Sequence, residues 1–283
     1  MPLVAYRGPG PVAAAGLPLR RGRMPPLWRG RPLKRWRWVG AFGSELMMCA
    51  CIARVGPARQ AFWAVLDRRT GRLHEGAAVG RVGASVRFAP GGLVSIRDGA
   101  VAVELELDEP DGAVETLLGD GGPGFVWTRK HAGIAARGQV AIDGHRRPVS
   151  LEAALDDTAG YHRRHTRWSW SAGIGRLAEG VSLAWNLVEG VNDPPSGSER
   201  TIWRAGIASE APPARFASDL STVSFDDGAR LRFAPEAERV HEQNLLLLRS
   251  SYRAPFGTFS GELPGGLELT EGFGVMEHHD AHW

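Results

Sequence analysis

The sequence predicts an all-β protein made of two antiparallel β-barrel or β-sandwich domains related by approximate duplication. Three observations carry that reading. First, Arg35-Trp36-Arg37-Trp38 recurs as Arg167-Trp168-Ser169-Trp170. Each copy leads through small residues into an apolar run, Leu46–Val55 in one case and Val181–Val188 in the other, and closes on Gly56 or Gly190. Self-similarity at so long a period marks a duplicated module. Second, turn dipeptides recur at short intervals, among them Asp98-Gly99, Asp111-Gly112, Asp143-Gly144 and Asp227-Gly228. Asp-Gly between alternating apolar runs is the strongest short-range hairpin signal. Third, Val101, Val103, Leu105 and Leu107 alternate with Glu104, Glu106 and Asp108, and Val223, Phe225, Leu231 and Phe233 do the same around Asp227-Gly228. Such alternation belongs to strands with one wet face.

Taken in order, residues 1–30 read as an extended arm. Prolines at 2, 9, 11, 18, 25 and 26 exclude a helix or a central strand there. Residues 31–148 form the first expected domain and residues 149–283 the second. Val149–Asp157 reads as a helix at the boundary, with Ser150 as N-cap and Glu152 in the first turn. Residues two apart in a strand share a face, so Trp36 pairs with Trp38 and Trp168 with Trp170, lining an aromatic interior. After Glu277, which is expected on a strand facing a cavity, His278-His279-Asp280-Ala281-His282-Trp283 reads as a polar tail whose last indole docks the chain end.

Composition bounds the class. At 283 residues and 43% hydrophobic content the chain can build two cores. No apolar run approaches the ~20 residues of a membrane span. Val12–Leu19 is short, broken by Pro18 and followed by basic residues, which is not a secretory signal. Cys49 and Cys51 sit ~6.6–7 Å apart on one strand face, at the far edge of disulfide reach. These features predict a cytoplasmic protein. Residues 1–40 hold nine basic groups and no acid, while the remainder holds 25 basic and 31 acidic residues. The arm therefore reads as packing across an acidic body, with no nucleic acid as partner. Only Lys34 and Lys130 are lysines in an arginine-rich chain, a bias read as genome composition.

The densest polar text runs from Asp156 to Trp170. With a strand starting near Tyr161, Tyr161, Arg163, His165 and Arg167 share one face, and His162, Arg164, Thr166, Trp168 and Trp170 share the other. Titratable groups beside an indole wall are the setting in which a proton donor is tuned towards neutrality. The competing reading is a packed, hydrogen-bonded core edge. Asn186 lies on the small, polar face of Val181–Val188, and Glu199 and Trp203 follow four apart. Glu199 and His165 are the candidate catalytic residues, and Tyr161, Trp168, Trp170, Asn186, Trp203 and Glu277 the candidate ligand-binding residues. The pocket is expected in the second domain or between the two. Neither a cofactor nor a metal is expected. His278, Asp280 and His282 share one side, but same-face positions ~6.6–7 Å apart rarely converge on one ion. There is no Gly-x-Ser-x-Gly elbow, phosphate loop or zinc spacing.

Several motifs together resemble one family. They are Arg31 to Gly40, Gly160-Tyr161 with Arg164-His165-Thr166-x-Trp168-x-Trp170, Asn186 with Gly190 and Asn192-Asp193, Glu199 with Trp203, Tyr252-x-x-Pro255-Phe256-Gly257, and Gly274-Val275-Met276-Glu277 with Trp283. They resemble the bacterial domain of unknown function 2804 family, over nearly the whole chain after residue 25. That family is distantly similar to carotenoid hydratase and tocopherol cyclase type proteins. The resemblance implies that each β-domain is lipocalin-like. It also implies a greasy cavity in which a buried acid protonates an alkene, although that acid aligns onto no particular residue here. Fold does not transfer chemistry. The leading functional expectation is acid–base catalysis, as a hydratase, cyclase or isomerase, on a hydrophobic or amphipathic small molecule. The alternatives are a carrier that binds a hydrophobic ligand without chemistry, and a structural or interaction module with filled barrels.

Overall fold

The computed structural model describes residues 5–9, 24–80, 83, 85–119, 121–245 and 248–282. In chain order its strands are β1 (Tyr6–Gly8), β2 (Leu27–Trp28), β3 (Arg31–Pro32), β4 (Lys34–Phe42), β5 (Leu46–Val55), β6 (Ala58–Asp67), β7 (Arg72–Val79), β8 (Val86–Ala89), β9 (Leu93–Asp98), β10 (Val101–Asp108) and β11 (Val114–Gly119). They continue as β12 (Phe125–Ile142), β13 (His145–Gly160), β14 (His165–Arg176), β15 (Ser182–Glu189), β16 (Thr201–Arg204), β17 (Ile207–Glu210), β18 (Ala214–Phe216), β19 (Thr222–Phe225), β20 (Arg230–Leu245), β21 (Leu248–Leu263) and β22 (Leu267–His282).

One topology is used twice. The first large sheet is ordered β7-β6-β5-β4-β13-β12-β10-β9-β8, and the second β17-β16-β15-β14-β22-β21-β20-β19-β18. In each, four strands run as a meander, five more follow, and the last returns to pair with the first. Trp36 and Trp168 therefore lie on equivalent strands, β4 and β14. The fold is two lipocalin-like antiparallel domains related by approximate duplication.

Alternation explains how each sheet is sided. In β4 and β5, Val39, Ala41, Leu46, Met48 and Ala50 point into the first domain's own core. Their neighbours Trp38, Phe42, Met47, Cys49 and Cys51 point the other way, into a shared core built with Trp170, Ala172, Trp203, Tyr252 and Phe256 of the second domain. Leu183, Trp185, Leu187, Leu231 and Phe233 fill the second domain's interior. Strands buried on both faces need apolar residues on both, which accounts for the unbroken run from Leu46 to Ile52.

Three register slips, in β12, in β20 and between β21 and β22, change which face a side chain reaches. In β12 the pairing slips between Ala132 and Ile134, where Gly133 has φ +80°. Beyond the slip Ile134, Ala136 and Val140 enter the first core, whereas before it Ala132 joins the shared core. A slip of one residue reverses the faces. It therefore turns Lys130 out of the first domain's interior and towards the second domain. In β20 the slip between Pro235 and Ala237 does the same for Arg239 and His241, since Leu231 and Phe233 before it face the second core.

The structure corrects several expectations. Val149–Asp157 is strand, the middle of β13, and carries no helix. The two sheets divide between Gly160 and His165, later than the 148/149 boundary, which falls inside β13. The presumed polar tail is the end of β22, paired with β14 through His282. Within the Pro-rich arm, Tyr6–Gly8 is a short strand on β11, and Arg7 bonds Arg200 O and Thr201 Oγ1 in the second domain. Trp283 and most of the arm lie outside the described residues. Among those described, no helix is long and apolar enough to cross a membrane.

Candidate functional site

A cavity of about 230 Å3 lies between the domains, against the shared core. Its inner wall is aromatic, built from Trp36, Trp38 and Phe62 of the first sheet and Trp168, Trp170 and Tyr252 of the second. Trp36 stacks on Trp168 with centroids 6.4 Å apart and planes 3° apart, and Trp38 meets Trp170 edge-on at 5.0 Å. The repeated Trp-x-Trp pairs thus face each other across the domain junction.

Two carboxylates occupy equivalent positions in this wall. Asp156 on β13 stands opposite Trp38, and Glu277 on β22 stands opposite Trp170. Each accepts an indole N–H from the first tryptophan of its own pair. Trp36 Nε1 donates to Asp156 Oδ2 at 3.0 Å and Trp168 Nε1 to Glu277 Oε1 at 2.8 Å.

Their surroundings differ. Lys130, directly beside Asp156 in the β12–β13 ladder, places Nζ 2.8 Å from Asp156 Oδ1 and 3.3 Å from Glu199 Oε1. Thr158 Oγ1 also donates to Asp156, and Asn192 Nδ2 donates to Glu199 Oε2 at 3.1 Å. Burial opposes the charge on Lys130, but Asp156 and Glu199 outweigh it, so the ammonium is held more firmly than usual. Burial, with the charge of Asp156, raises Glu199 against the pull of Lys130 and Asn192. Glu277 is bonded by Trp168 and Tyr252, both neutral. Burial lifts it to about 7, those hydrogen bonds opposing the rise. The Tyr252 hydroxyl is itself pushed well above its ordinary value by burial, so it stays a donor. Next on the same face, His279 is lowered to about 3, chiefly by burial, and shares a 2.7 Å hydrogen bond with Ser250. It is a neutral imidazole near neutral pH.

Further groups complete the lining. Arg239 is buried, its guanidinium 4.5 Å from the Phe62 centroid and 5.4 Å from that of Tyr252. Its Nε lies 3.4 Å from Glu75 Oε2, an ion pair without hydrogen-bond geometry. Trp38 Nε1 has no hydrogen-bond partner among the described residues.

Of the residues expected at a site, Trp168, Trp170, Glu199 and Glu277 line this cavity. Asn186 stands behind the wall, where Oδ1 accepts from Trp170 Nε1 at 2.8 Å and Nδ2 donates to Glu199 O at 2.9 Å. It positions both. Trp203 is buried in the shared core, its Nε1 on Gly112 O. Tyr161 sits in a separate cluster with Leu33, Leu117 and Phe125, its hydroxyl on Pro25 O. His165 is exposed and bonds Asp280 at 2.8 Å while stacking on His282 at 3.9 Å. It stays outside the cavity because β14 continues past the wall, and its parity is opposite to that of Trp168. His165, Asp280 and His282 bring their ligand-type atoms within 4.8 Å of one another. His278, which shares a side with Asp280 and His282 along the strand, is not part of this group and bonds Ser169. Lys130, Asp156, Trp36, Tyr252 and His279 were not anticipated as site residues. One signal for Lys130 was available: in a chain with two lysines, both are buried.

Fold and site define the class: paired lipocalin-like domains enclosing an aromatic, acid-bearing cavity at their junction. The chain belongs to the family described as Domain of unknown function (DUF2804), whose model matches residues 94–283. A search of curated proteins finds no match. Among solved structures, an AttH-type protein from Nitrosomonas europaea aligns with a TM-score of 0.56 at 14% identity, over 88% of this chain and 92% of that one. That likeness establishes the fold alone. Kievitone hydratase from Nectria haematococca aligns at 0.45 and 10% identity over 87% and 88% of the two chains, and CghA at 0.42 and 10% over 88% of each. Scores this low establish no equivalence.

Proposed function

We propose that this protein is an acid–base enzyme acting on a compact hydrophobic or amphipathic small molecule, in a hydratase, cyclase or isomerase type of reaction. One observation carries the reading: Glu277, buried in an aromatic wall, is poised at about 7. A group whose ordinary value would keep it ionised is thereby able both to give and to take a proton near neutral pH.

Glu277 is assigned as the proton donor. Trp168 and Tyr252 fix its orientation and remain hydrogen-bonded to it once the proton has left. The indole faces of Trp36, Trp168 and Trp170 would steady positive charge developing on an apolar substrate. Lys130, clamped as an ammonium by Asp156 and Glu199, supplies a fixed positive charge in a largely buried site, where such charge acts strongly. Glu199, expected from sequence as a catalytic residue, is assigned here as part of that clamp, and His165 takes no part. A cavity of about 230 Å3 is compact against the roughly 300–1,000 Å3 typical of ligand pockets.

The test begins with the purified protein and native mass spectrometry to find a co-purified small molecule. That molecule is returned to the protein in deuterated water. Wild type is expected to place deuterium on a carbon of the ligand or to convert it, and Glu277→Gln to bind it unchanged. A ligand recovered unlabelled and unconverted from wild type supports the carrier alternative and removes the catalytic one. No binding to the cavity supports the third alternative, a structural module.

A further inference from the structure

The mouth of the cavity differs from its depth. The buried end holds Lys130, Asp156, Glu199 and Glu277, a set of neighbouring charges of both signs. The open end is formed by the β5–β6 turn, the end of β7 at Val79, and the start of β21 beside the end of β22. Arg54 and Arg59 stand on either side of that turn, directly paired across the hairpin. Arg249 comes from the second domain, directly opposite His282. Arg35, paired with Arg54, adds a fourth guanidinium just behind.

These arginines have no carboxylate partner among the described residues. Acids on strands that form or adjoin the rim are engaged elsewhere: Glu75 with Arg239, Asp280 with His165, and Glu242 with Ser251. Like charges set side by side repel, and Arg54 is lowered by burial and by the charges of Arg35 and Arg59. The nearby exposed Arg253, by contrast, pairs with Glu238. A rim of unpaired cations drawn from both domains at the entrance to a greasy cavity is a receptor for an anion.

We propose, building on the acid–base reading above, that the ligand is an amphipathic carboxylate whose apolar body enters between the tryptophans while its carboxylate stays at the rim on Arg54, Arg59 and Arg249. This polarity would fix which end of the molecule meets Glu277. The charged head cannot pass the indole wall without losing its solvation, whereas at the rim it keeps water and gains guanidinium hydrogen bonds.

The experiment compares octanoate, octan-1-ol and octylammonium by calorimetry at about pH 8, where the carboxylate is ionised. Octanoate is expected to bind about tenfold more tightly than octanol, the scale of one or two part-exposed ion pairs, and octylammonium more weakly than either. The advantage should shrink as salt rises to about 0.5 M, where exposed charges are screened. The triple variant Arg54→Gln, Arg59→Gln, Arg249→Gln is expected to bind octanoate no better than octanol while keeping its octanol affinity and its melting temperature. Equal binding of octanoate and octanol by wild type overturns the inference and leaves the acid–base reading standing. An arginine-dependent preference with no deuterium transfer by Glu277 sustains the inference and removes the acid–base reading. If none of the probes binds, the inference falls, and the acid–base reading is decided by the co-purified ligand.

Discussion

Asp156 and Glu277 occupy the same place in two copies of one sheet, yet only one has a cation. Each faces the second tryptophan of its domain's Trp-x-Trp pair and takes a hydrogen bond from the first. In the first domain the adjoining strand offers Lys130, re-aimed by the bulge at Gly133. In the second, the register that sets Arg253 against His278 and Phe256 against Val275 brings Ala254 beside Glu277. Asp156 has the Lys130 ammonium at 2.8 Å. A carboxylate with only indole and phenol donors holds its proton to about 7. Duplication supplied two equivalent acids, and a single neighbouring side chain separates support from proton carrier.

Removing the cation should break this division with the largest effect. Lys130→Met leaves Asp156 and Glu199 buried beside each other without their counter-charge. The expected loss is about 3–5 kcal/mol of unfolding free energy at neutral pH, read by urea denaturation. The same substitution should push Glu277 still higher, because Lys130 lowers it. A loss under about 1 kcal/mol would mean the three groups are hydrated rather than clamped.

The tryptophans should divide in the same way within each domain. Trp38 and Trp170 are buried, while Trp36 and Trp168 are only half-buried along the cavity. Trp38→Ala and Trp170→Ala are each expected to cost about 3–5 kcal/mol. Trp36→Ala and Trp168→Ala should cost clearly less and act mainly on ligand binding. Equal costs across all four would show that the cavity wall is simply core.

How much of this was legible in the sequence follows from the same geometry. The Trp-x-Trp repeat and the Asp-Gly turns revealed the duplicated β topology because both are local signals, Trp168 and Trp170 followed from the period of two, and Glu277 from its place on an ordered strand before the polar C-terminal text. Val149–Asp157 failed because Leu151, Ala153 and Leu155 face one core while Ala154 and Asp156 face the other side. A strand buried on both faces loses its alternation and reads as a helix. Lys130 was hidden by the bulge, which no periodicity records. His165 was misplaced because the sequence does not say where a strand runs past the edge of a wall.

The acidity of Glu277 gives the comparison a sign. Its value is about 7 in the fold against an ordinary 4.5, so the folded state holds the proton that the unfolded chain releases. Stability from this group is complete below pH ~4.5 and is lost as the pH rises to ~7, by at most about 3 kcal/mol. His279, lowered to about 3, acts oppositely on the acid side, costing stability as the pH falls below ~6.5. Glu277→Gln leaves the His279 contribution in place. The difference between wild type and this variant, measured by denaturation from pH ~4 to ~8, isolates the carboxyl. It should move in the variant's favour as the pH rises and level off above ~7. A difference that stays flat would place Glu277 in contact with water and remove the basis for its role.

The smallest expected effect tests whether the two equivalent acids sense each other. The charge on Asp156 raises Glu277, while Lys130 lowers it. Asp156→Asn keeps the shape but removes that charge, and its single amide oxygen can accept in the Oδ1 position from Thr158 or in the Oδ2 position from Trp36, not both. Lys130 retains Glu199 as partner, so the substitution does not strand the ammonium. Glu277 should then titrate lower, by less than about one pH unit, the scale of one charge acting across several ångströms at an effective dielectric of ~20. Carbon-13 NMR of the glutamate side-chain carboxyls follows this directly, with the signal assigned by its absence in Glu277→Gln. A downward shift means that the first domain sets the proton affinity of the second across the junction. An unmoved titration would mean that Lys130 screens Asp156 completely, leaving burial and two neutral hydrogen bonds alone to poise Glu277.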